Sequence, residues 1–191
     1  GFKNIYGVPQ QEVIDGNFPT VDSPNPEEKG ALKMAIEQAN IVGADLVMAT
    51  DPDADRIGIA VRNGNNELIM LNGNQMASIL TYYLLERGVE KGIFNRESNP
   101  GYYMVKTIVT TDLLRSIAGK YGVEMMDVLT GFKYIAEVVR MNEGKRKFIG
   151  GGEESYGFNA GEFVRDKDAV IACCLVAEAA VWASEKGKSL Y

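Results

Sequence analysis

The chain has 191 residues, of which 46% are hydrophobic and 24% are charged, and its net charge is −6. This length and composition describe one large globular domain or two small ones, and the acidic balance excludes the basic face of a nucleic-acid-binding protein. The longest apolar stretch, residues 169–183, contains Glu178 and is too short to span a bilayer. We therefore expect neither a nucleic-acid partner nor a membrane partner.

Apolar periodicity in the first third of the chain predicts one helix and several strands. The helix has Asn25 as its N-cap and Pro26 at its first position, and it ends before Gly43. Asn63 and Gly64 predict a tight turn, so the strands on either side should form an antiparallel hairpin. The predicted strands are 2–8, 46–49, 57–61 and 67–71.

From residue 74 onwards, strands alternate with helices. Gly88 caps the first of these helices, and Thr111 with Asp112 caps the second. Gly131 precedes the third, and Asp166 caps the last, which is apolar on most of its circumference and expected to be buried. The predicted helices are 74–88, 113–121, the segment after 131, and 168–186, and the predicted strands are 103–109, 123–128 and 147–151.

This alternation predicts an α/β fold with two consecutive α/β units, whose sheets are mixed but largely parallel. The charge changes near residue 70, because residues 1–70 hold 5 Lys or Arg and 11 Asp or Glu, whereas residues 71–191 hold 15 of each. We therefore predict one unit at 1–70 and a second at 71–191. The first is short for a domain and is expected to lack its own first strand and helix.

The two cysteines, Cys173 and Cys174, are adjacent in the last predicted helix. Neighbouring helical positions point about 100° apart, which disfavours a disulfide between them. We interpret both as core residues in a reducing compartment, which predicts a cytoplasmic protein. The N-terminus has no signal-peptide pattern, and it begins with Gly rather than Met, which suggests a piece of a longer chain.

Three carboxylates follow a predicted strand at alternate positions, Asp51, Asp53 and Asp55, and Arg56 comes directly after them. Side chains at this spacing fall on the same side of an extended or turning loop, so the three can converge on one point. Close carboxylates repel one another unless a cation lies between them, and oxygen-only ligands suit Mg²⁺. The sequence therefore predicts a Mg²⁺ loop, with Arg56 placed to meet a phosphate.

Closely spaced aspartates also occur in two other classes of protein site. An EF-hand loop beginning at Asp51 would need Gly and Glu where the chain has Arg56 and Arg62, which excludes it. A haloacid-dehalogenase-like, Mg²⁺-dependent phosphatase places Asp-x-Asp after a strand, with the first Asp as nucleophile, although Thr is usual where this chain has Asp55. That phosphatase stays an alternative, as does a solvated acidic turn.

A glycine-rich loop, GGEESYGF at residues 151–158, follows the last predicted strand. Its glycines allow close backbone approach, and Glu153 and Ser155, at i and i+2, point the same way. Carboxylate oxygens that accept from hydroxyl groups commonly hold sugars, so the loop predicts a sugar contact. A glutamate pair for glycoside hydrolysis is disfavoured because adjacent residues point apart, and a plain turn with a solvated acid pair stays an alternative.

Together, TDPDADR at 50–56 and GGEESYGF resemble the metal loop and the sugar-recognition loop of the α-D-phosphohexomutases, the family of phosphoglucomutases and phosphomannomutases. Four further segments resemble the family, so that the resemblance covers nearly the whole chain: DGNFPTVDSPNPEE, VKTIVTTDLL, LTGFKYI and FVRDKDA. DPDADR and EESYGF are more similar to the phosphoglucomutase and phosphopentomutase branch. The resemblance implies most of domain 2 and all of domain 3 of a four-domain enzyme.

Such an enzyme is an isomerase that moves a phosphoryl group within hexose phosphates, between glucose 1-phosphate and glucose 6-phosphate or between the mannose phosphates. The resemblance implies that it works through an enzyme phosphoserine and a bisphosphate intermediate, and a phosphopentomutase of the same family is the alternative. The phosphoserine would lie in domain 1 and a phosphate-gripping site in domain 4. The implied partners are therefore the hexose phosphate and those two domains of the parent chain, and these 191 residues alone are expected to be inactive.

The resemblance implies three metal ligands and two catalytic residues. Asp51, Asp53 and Asp55 would hold Mg²⁺, and Arg56 would help to neutralise the transferring group. Lys106 would handle a proton or stabilise charge near that group, although an ordinary strand lysine is the alternative.

The resemblance also implies substrate contacts for five residues. Glu153 and Ser155 would bind the sugar 3- and 4-hydroxyl groups. Thr130, Gly131 and Lys167 match family residues that line the cleft, and as alternatives they are plain turn and helix-cap residues.

Overall fold

The computed structural model describes residues 2–191, which form two β-sheets connected and covered by helices. The strands are β1 (Leu46–Thr50), β2 (Ile57–Arg62), β3 (Leu68–Leu71), β4 (Tyr102–Thr107), β5 (Glu124–Val128), β6 (Lys147–Gly152) and β7 (Phe158–Ala160). The helices are α1 (Lys29–Val42), α2 (Gly73–Glu90), α3 (Leu113–Lys120), α4 (Phe132–Asn142) and α5 (Ala169–Glu185), and a 3₁₀-helix spans Pro9–Gln11.

The first sheet is antiparallel throughout, with strand order β1-β2-β3. Short loops join its strands, and such loops can link only antiparallel neighbours. The hairpin predicted at Asn63 and Gly64 is confirmed, with Arg62 opposite Leu68. The α/β class with mixed sheets is also confirmed, but the expectation of largely parallel pairing is wrong for this sheet.

The second sheet has strand order β5-β4-β6-β7, in which β5, β4 and β6 are parallel and β7 is antiparallel to β6. Helices α3 and α4 form the long crossovers that parallel strands require. In this register, Lys106 of β4 lies opposite Asp127 of β5 and Gly152 of β6. The parallel pairing thus brings the carboxyl ends of three strands, and the loops that follow them, to one edge of the sheet.

A large apolar core joins the two sheets. It extends from Ile57 and Ile59 of the first sheet, through Met76 of α2, to Met104 of the second sheet and Val176 of α5. Smaller cores pack α1 against the first sheet and α4 against the second. The division into units at 1–70 and 71–191 stays a prediction, and residues on both sides of it contribute to the large core.

The start of α1 differs from the prediction, whereas its end agrees with it. The helix begins at Lys29 rather than after Asn25, because the Asn25 side chain accepts from the amide of Glu27 at 3.1 Å and closes a turn before the helix. It ends at Gly43, whose φ of 72° is the left-handed conformation typical of a glycine C-cap.

Two caps predicted for other helices are wrong. Gly88 lies inside α2 rather than at its end, and a Cβ there would lie only 1.9 Å from the Phe94 ring, so this glycine serves close packing. The N-cap of α5 is Asp168 rather than Asp166, because the Asp168 side chain accepts from the amide of Ile171 at 3.0 Å.

The N-terminal segment does not form the strand predicted at 2–8. It is irregular as far as the 3₁₀-helix, and the side chains of Ile5 and Tyr6 are exposed. A strand needs a partner, and within residues 2–191 this segment pairs with none. Strand β7 was not predicted, because its three residues are too few to show alternation.

Helix α5 is only partly buried, contrary to the prediction. Ala172 and Ala179 face the core, whereas Val170 and Val181 are exposed. Cys173 is half-buried and Cys174 is exposed, so the prediction that both cysteines are core residues is wrong for Cys174. The apolar composition of α5 therefore overstated its burial. Among the described residues, no helix combines the length and apolarity that a bilayer crossing requires.

Candidate functional site

The metal loop, which we define as residues 51–56, joins β1 to β2 in a tight turn. The Asp51 carboxylate accepts from the amides of Asp55 and Arg56, each at 3.0 Å, and Ala54 adopts a left-handed φ of 56°. The chain thereby folds back, and ligand oxygens of Asp51, Asp53 and Asp55 lie within 4.8 Å of one another. The structure thus brings together the three carboxylates that alternate in the sequence.

Two cations partly neutralise the metal loop. Arg56 Nε lies 2.8 Å from Asp51 Oδ2, and Lys167 Nζ lies 2.8 Å from Asp55 Oδ2. Burial alone would raise the pKa of Asp51, but hydrogen bonds from Arg56 and Asp55 outweigh it and hold that pKa below its usual value. The pKa of Asp55 is raised, because burial and the Asp51 carboxylate outweigh the Lys167 ammonium group. Three carboxylates thus share two cations.

One oxygen of the metal loop is left without a donor. Asp55 Oδ1 is buried and accepts no hydrogen bond within residues 2–191, and Arg56 Nε, at 3.6 Å, is too distant to donate one. A buried carboxylate oxygen in this state is costly unless a ligand satisfies it. Three convergent carboxylates with such an oxygen fit a hard divalent cation. A nucleophilic Asp51 fits less well, because both of its oxygens already accept hydrogen bonds.

The sugar loop, which we define as residues 153–157, joins β6 to β7 as a tight hairpin. The amide of Glu153 donates to Gly157 O at 2.9 Å. The Glu153 carboxylate is buried, which raises its pKa, and it accepts from the amide of Gly131 at 3.1 Å. Ser155 is half-buried, and Thr130 is exposed beside Gly131. The structure therefore joins Glu153 directly to the loop that follows β5.

The metal loop and the sugar loop meet edge to edge. Arg56 and Gly157 form an antiparallel β-bridge, and the amide of Ile57 donates to Tyr156 O at 3.2 Å. Backbone hydrogen bonds therefore fix the acidic cluster beside the loop that carries Glu153. The two constellations recognised in the sequence therefore lie side by side.

Lys167 connects the two loops through its side chain. Its Nζ lies 2.8 Å from Asp55 Oδ2, 3.2 Å from Asp166 Oδ1 and 5.3 Å from the centre of the Phe132 ring. Its stem lies against Gly157, where a Cβ would be only 2.2 Å from Lys167 Cδ. Burial would lower the pKa of Lys167, but its bonds to Asp55 and Asp166 outweigh burial and raise that pKa.

Two family models match almost the whole chain. Residues 1–64 match the alpha/beta/alpha domain II of phosphoglucomutase/phosphomannomutase, and residues 72–191 match the alpha/beta/alpha domain III. The chain belongs to the phosphoglucomutase/phosphomannomutase family. The resemblance inferred from the metal-loop and sugar-loop motifs is thereby confirmed.

Individual members of this family are similar to the chain over most of its length. A phosphoglucomutase from Staphylococcus epidermidis is 40% identical over 189 residues, which are 99% of this chain and 33% of that protein. The chain therefore spans about a third of the length of the curated relatives it matches.

Solved structures share the fold. A phosphoglucomutase/phosphomannomutase family protein from Burkholderia thailandensis has a TM-score of 0.68 and 20% identity, covering 88% of this chain and 33% of that one. An N-acetylphosphoglucosamine mutase from Aspergillus fumigatus, solved in complex with GlcNAc-6P and magnesium, has a TM-score of 0.51 and 17% identity, covering 76% and 34%.

Lys106, the family lysine predicted to be catalytic, lies at the carboxyl end of β4 and is only 1% exposed. Its Nζ donates to the carbonyl oxygens of Thr110 at 2.9 Å and Thr107 at 3.3 Å, and it lies 3.2 Å from carboxylate oxygens of both Asp112 and Asp127. These partners belong to β4, to the segment that follows β4, and to β5. The catalytic role of Lys106 stays a prediction.

One residue of the sugar loop was not predicted from the sequence. Glu154 Oε2 lies 3.0 Å from both Thr107 Oγ1 and Thr110 Oγ1, and both threonines are buried. The sequence did offer one signal, the adjacent pair Glu153 and Glu154. Because neighbouring side chains of an extended segment point to opposite sides, the two glutamates should have different partners. The partners of Glu154, Thr107 and Thr110, are too distant in sequence to be predicted from a local pattern.

Proposed function

We propose that this chain contributes the metal-binding and sugar-binding loops of a phosphohexomutase active site. The reaction would be the transfer of a phosphoryl group within a hexose phosphate, between glucose 1-phosphate and glucose 6-phosphate. The observation that carries the proposal is the β-bridge between Arg56 and Gly157, which fixes three convergent carboxylates beside the buried Glu153. Membership of the family and the 40% identity to a phosphoglucomutase support it.

In this proposal Asp51, Asp53 and Asp55 hold Mg²⁺. Their oxygen-only donor set and the unpartnered Asp55 Oδ1 support a hard divalent ion. When bound, the ion would neutralise charge that develops on the transferring phosphoryl group. Arg56 orients Asp51 through the 2.8 Å contact of its Nε, and it adds positive charge at the same place.

The sugar of the substrate would lie against the sugar loop. Glu153 accepts from a sugar hydroxyl group while its second contact, the amide of Gly131, keeps the carboxylate oriented. Ser155, two residues further on, would bind the neighbouring hydroxyl group, and Thr130 would border the same cleft. Lys167, between the loops, would meet the phosphate end of the substrate.

The remaining parts of the reaction would come from elsewhere in a longer protein. We propose that a phosphoserine and a second phosphate-binding site lie in regions that the curated relatives have outside the matched third. Lys106 would then stabilise charge or move a proton at the transferring group. Two free cysteines, Cys173 and Cys174, support a reducing, cytoplasmic setting.

A coupled assay of the full-length protein tests this function. We expect Mg²⁺-dependent conversion of glucose 1-phosphate into glucose 6-phosphate, measured beside mannose 1-phosphate and ribose 1-phosphate to rank the sugars. Loss of activity with excess chelator and recovery with added Mg²⁺ would support the metal assignment. Release of inorganic phosphate without any hexose 6-phosphate would instead favour the phosphatase alternative and overturn the proposal.

A further inference from the structure

We propose that Glu154 is a positioning residue, which holds the sugar loop in place against the end of β4 and the loop that follows it and thereby sets the placement of Glu153. This inference rests on the function proposed above for the sugar loop. Glu154 is assigned no contact with the sugar, because its carboxylate is engaged by buried threonines of the protein.

Glu154 is fixed through both its side chain and its backbone. Its Oε2 lies 3.0 Å from the hydroxyl oxygens of Thr107 and Thr110, and its amide donates to Thr110 Oγ1 at 3.1 Å. The two hydroxyl oxygens are also only 2.7 Å apart. Two hydrogens serve these three contacts, so whichever threonine donates to the other, at least one hydroxyl group donates to the carboxylate. A hydrogen bond to a charged acceptor is stronger than a neutral one.

The same two threonines hold Lys106. Lys106 Nζ donates to the carbonyl oxygens of Thr110 and Thr107 at 2.9 and 3.3 Å. The threonine side chains thus bind Glu154 while their carbonyl groups bind Lys106. Thr107 and Thr110 are 0% and 2% exposed, so in the folded protein their hydroxyl groups are satisfied by the Glu154 carboxylate and by each other rather than by water.

Helix α2 holds the sugar loop from another side. A Cβ on Gly73, its first residue, would lie 2.0 Å from Glu154 O, so helix and loop are in a backbone contact that only glycine permits. The next residue, Asn74, accepts from the amide of Thr111 at 2.9 Å through its side chain. The start of α2, the loop after β4 and the sugar loop therefore pack as one unit around Glu154.

The tandem glutamates have different partners. Glu153 Oε1 accepts from Gly131, in the loop after β5, whereas Glu154 binds the loop after β4. Removing the Glu154 carboxylate would therefore loosen the sugar loop without removing a group assigned to the sugar. The expected consequence is weaker sugar binding in the ground state and the transition state alike, which raises KM and leaves kcat nearly unchanged.

Steady-state kinetics of the full-length enzyme on glucose 1-phosphate, at saturating Mg²⁺, test the inference. We expect Glu154→Ala to raise KM about tenfold while kcat changes less than about twofold. Glu154→Gln should keep KM within about twofold, because its amide oxygen can accept from the same threonine hydroxyl group. Glu137→Gln, on the exposed face of α4, is the matched control and should leave both constants unchanged.

The outcomes separate positioning from a merely structural role. A loss of folded protein alone would lower the apparent kcat at constant KM, and that result, or an unchanged KM in Glu154→Ala, overturns the inference. If Glu154→Ala does not fold, Thr107→Val removes one hydroxyl group at nearly constant volume and should raise KM about threefold; an unchanged KM there overturns the inference.

A parallel variant separates this inference from the proposed function. If Glu153→Ala raises KM while Glu154→Ala does not, only the positioning role fails. If Glu153→Ala also leaves KM unchanged, the sugar-binding role of the loop fails and the inference falls with it.

Discussion

Carboxylates in two regions of the molecule have opposite surroundings. In the metal loop, Asp51, Asp53 and Asp55 converge within 4.8 Å, and one buried oxygen of Asp55 has no donor within residues 2–191. In the second region, Glu86 of α2 is bound by the guanidinium group of Arg96 at 2.8 and 3.2 Å. There each carboxylate oxygen has its own donor.

The difference identifies which carboxylates hold the fold and which need a ligand. Removing one partner of a buried, hydrogen-bonded pair is costly because it leaves the other group uncompensated, whereas carboxylates that face one another repel until a cation lies between them. Substitution of Asp53, the exposed member of the cluster, should therefore change activity and metal binding with little effect on stability. Substitutions in the paired region should change stability first.

The largest effect is expected for Asp53→Asn. Asp53 is exposed and belongs to the convergent cluster, so its replacement removes one ligand charge without disturbing the core. In the full-length enzyme we expect activity at limiting Mg²⁺ to fall on the order of a hundredfold and to recover partly as Mg²⁺ is raised. Asp45→Asn, an exposed acid just before β1, is the control. Equal Mg²⁺ dependence in the two variants would show that Asp53 is not a ligand of the ion.

Lys106→Met tests a residue that is proposed for the active site, although its ammonium group is buried and paired with carboxylates as in a structural ion pair. Its removal leaves Asp112 and Asp127 with Arg115 as their remaining cation among the described residues, and two carbonyl oxygens lose a buried donor. We expect the free energy of unfolding to fall by about 2 kcal/mol, since both aspartates keep some access to water. Urea unfolding of the 191-residue chain, followed through its single tryptophan, Trp182, measures this change. Lys147→Met, at an exposed position of β6, should change it by less than about 0.5 kcal/mol. Equal stability of the two variants would show that Lys106 does not stabilise the fold, so that only its proposed role in the site would remain.

Gly157→Ala tests the junction between the two loops. The added Cβ would lie 2.2 Å from Lys167 Cδ, so the lysine must move away from Asp55. We expect KM for glucose 1-phosphate to rise about tenfold, because the ammonium group proposed to meet the phosphate is displaced. Gly119→Ala, where a Cβ meets open space, is the control. A normal KM in Gly157→Ala would show that the position of Lys167 is unimportant for the substrate.

Local patterns in the sequence predicted the convergence of the three aspartates, because the geometry of this turn is decided within six residues. The alternating aspartates lie between two apolar runs, and the turn closes on the amides of Asp55 and Arg56. The hairpin at Asn63 and Gly64 was predictable for the same reason. The contact between Lys167 and Asp55 was not, because it depends on how α5 packs against the first sheet.

The failed predictions also have non-local causes. Asp166 and Asp168 are equally good N-caps in the sequence, and the choice is made by long-range backbone bonds, in which Asp168 N donates to Phe158 O and Ala169 N donates to Ala54 O. Residues 2–8 alternate like a strand, but strand formation requires a neighbour that no local pattern can supply. Tertiary contacts therefore decided the elements whose local signals were ambiguous.

The smallest effect is expected at Glu86, whose paired carboxylate should make stability depend on pH. Hydrogen bonds from Arg96 and Tyr121 lower the pKa of Glu86 below its ordinary value of 4.5. A carboxylate whose pKa is lower in the folded state stabilises the protein above its unfolded pKa, and that stabilisation is lost as the pH falls through the folded pKa. Glu86→Gln lacks this titration at every pH.

At pH 7 we therefore expect Glu86→Gln to be less stable than the unsubstituted chain by on the order of 1 kcal/mol. The difference should shrink as the pH falls below 4.5, because the unfolded chain, in which Glu86 has its ordinary pKa, then binds a proton that the folded carboxylate does not yet bind. Urea midpoints of both proteins at pH 7 and at about pH 3.5 measure it, with the exposed Glu185→Gln as control. A difference that stays constant between the two pH values would mean that Glu86 is not held as a paired carboxylate, and its contrast with the metal loop would then be lost.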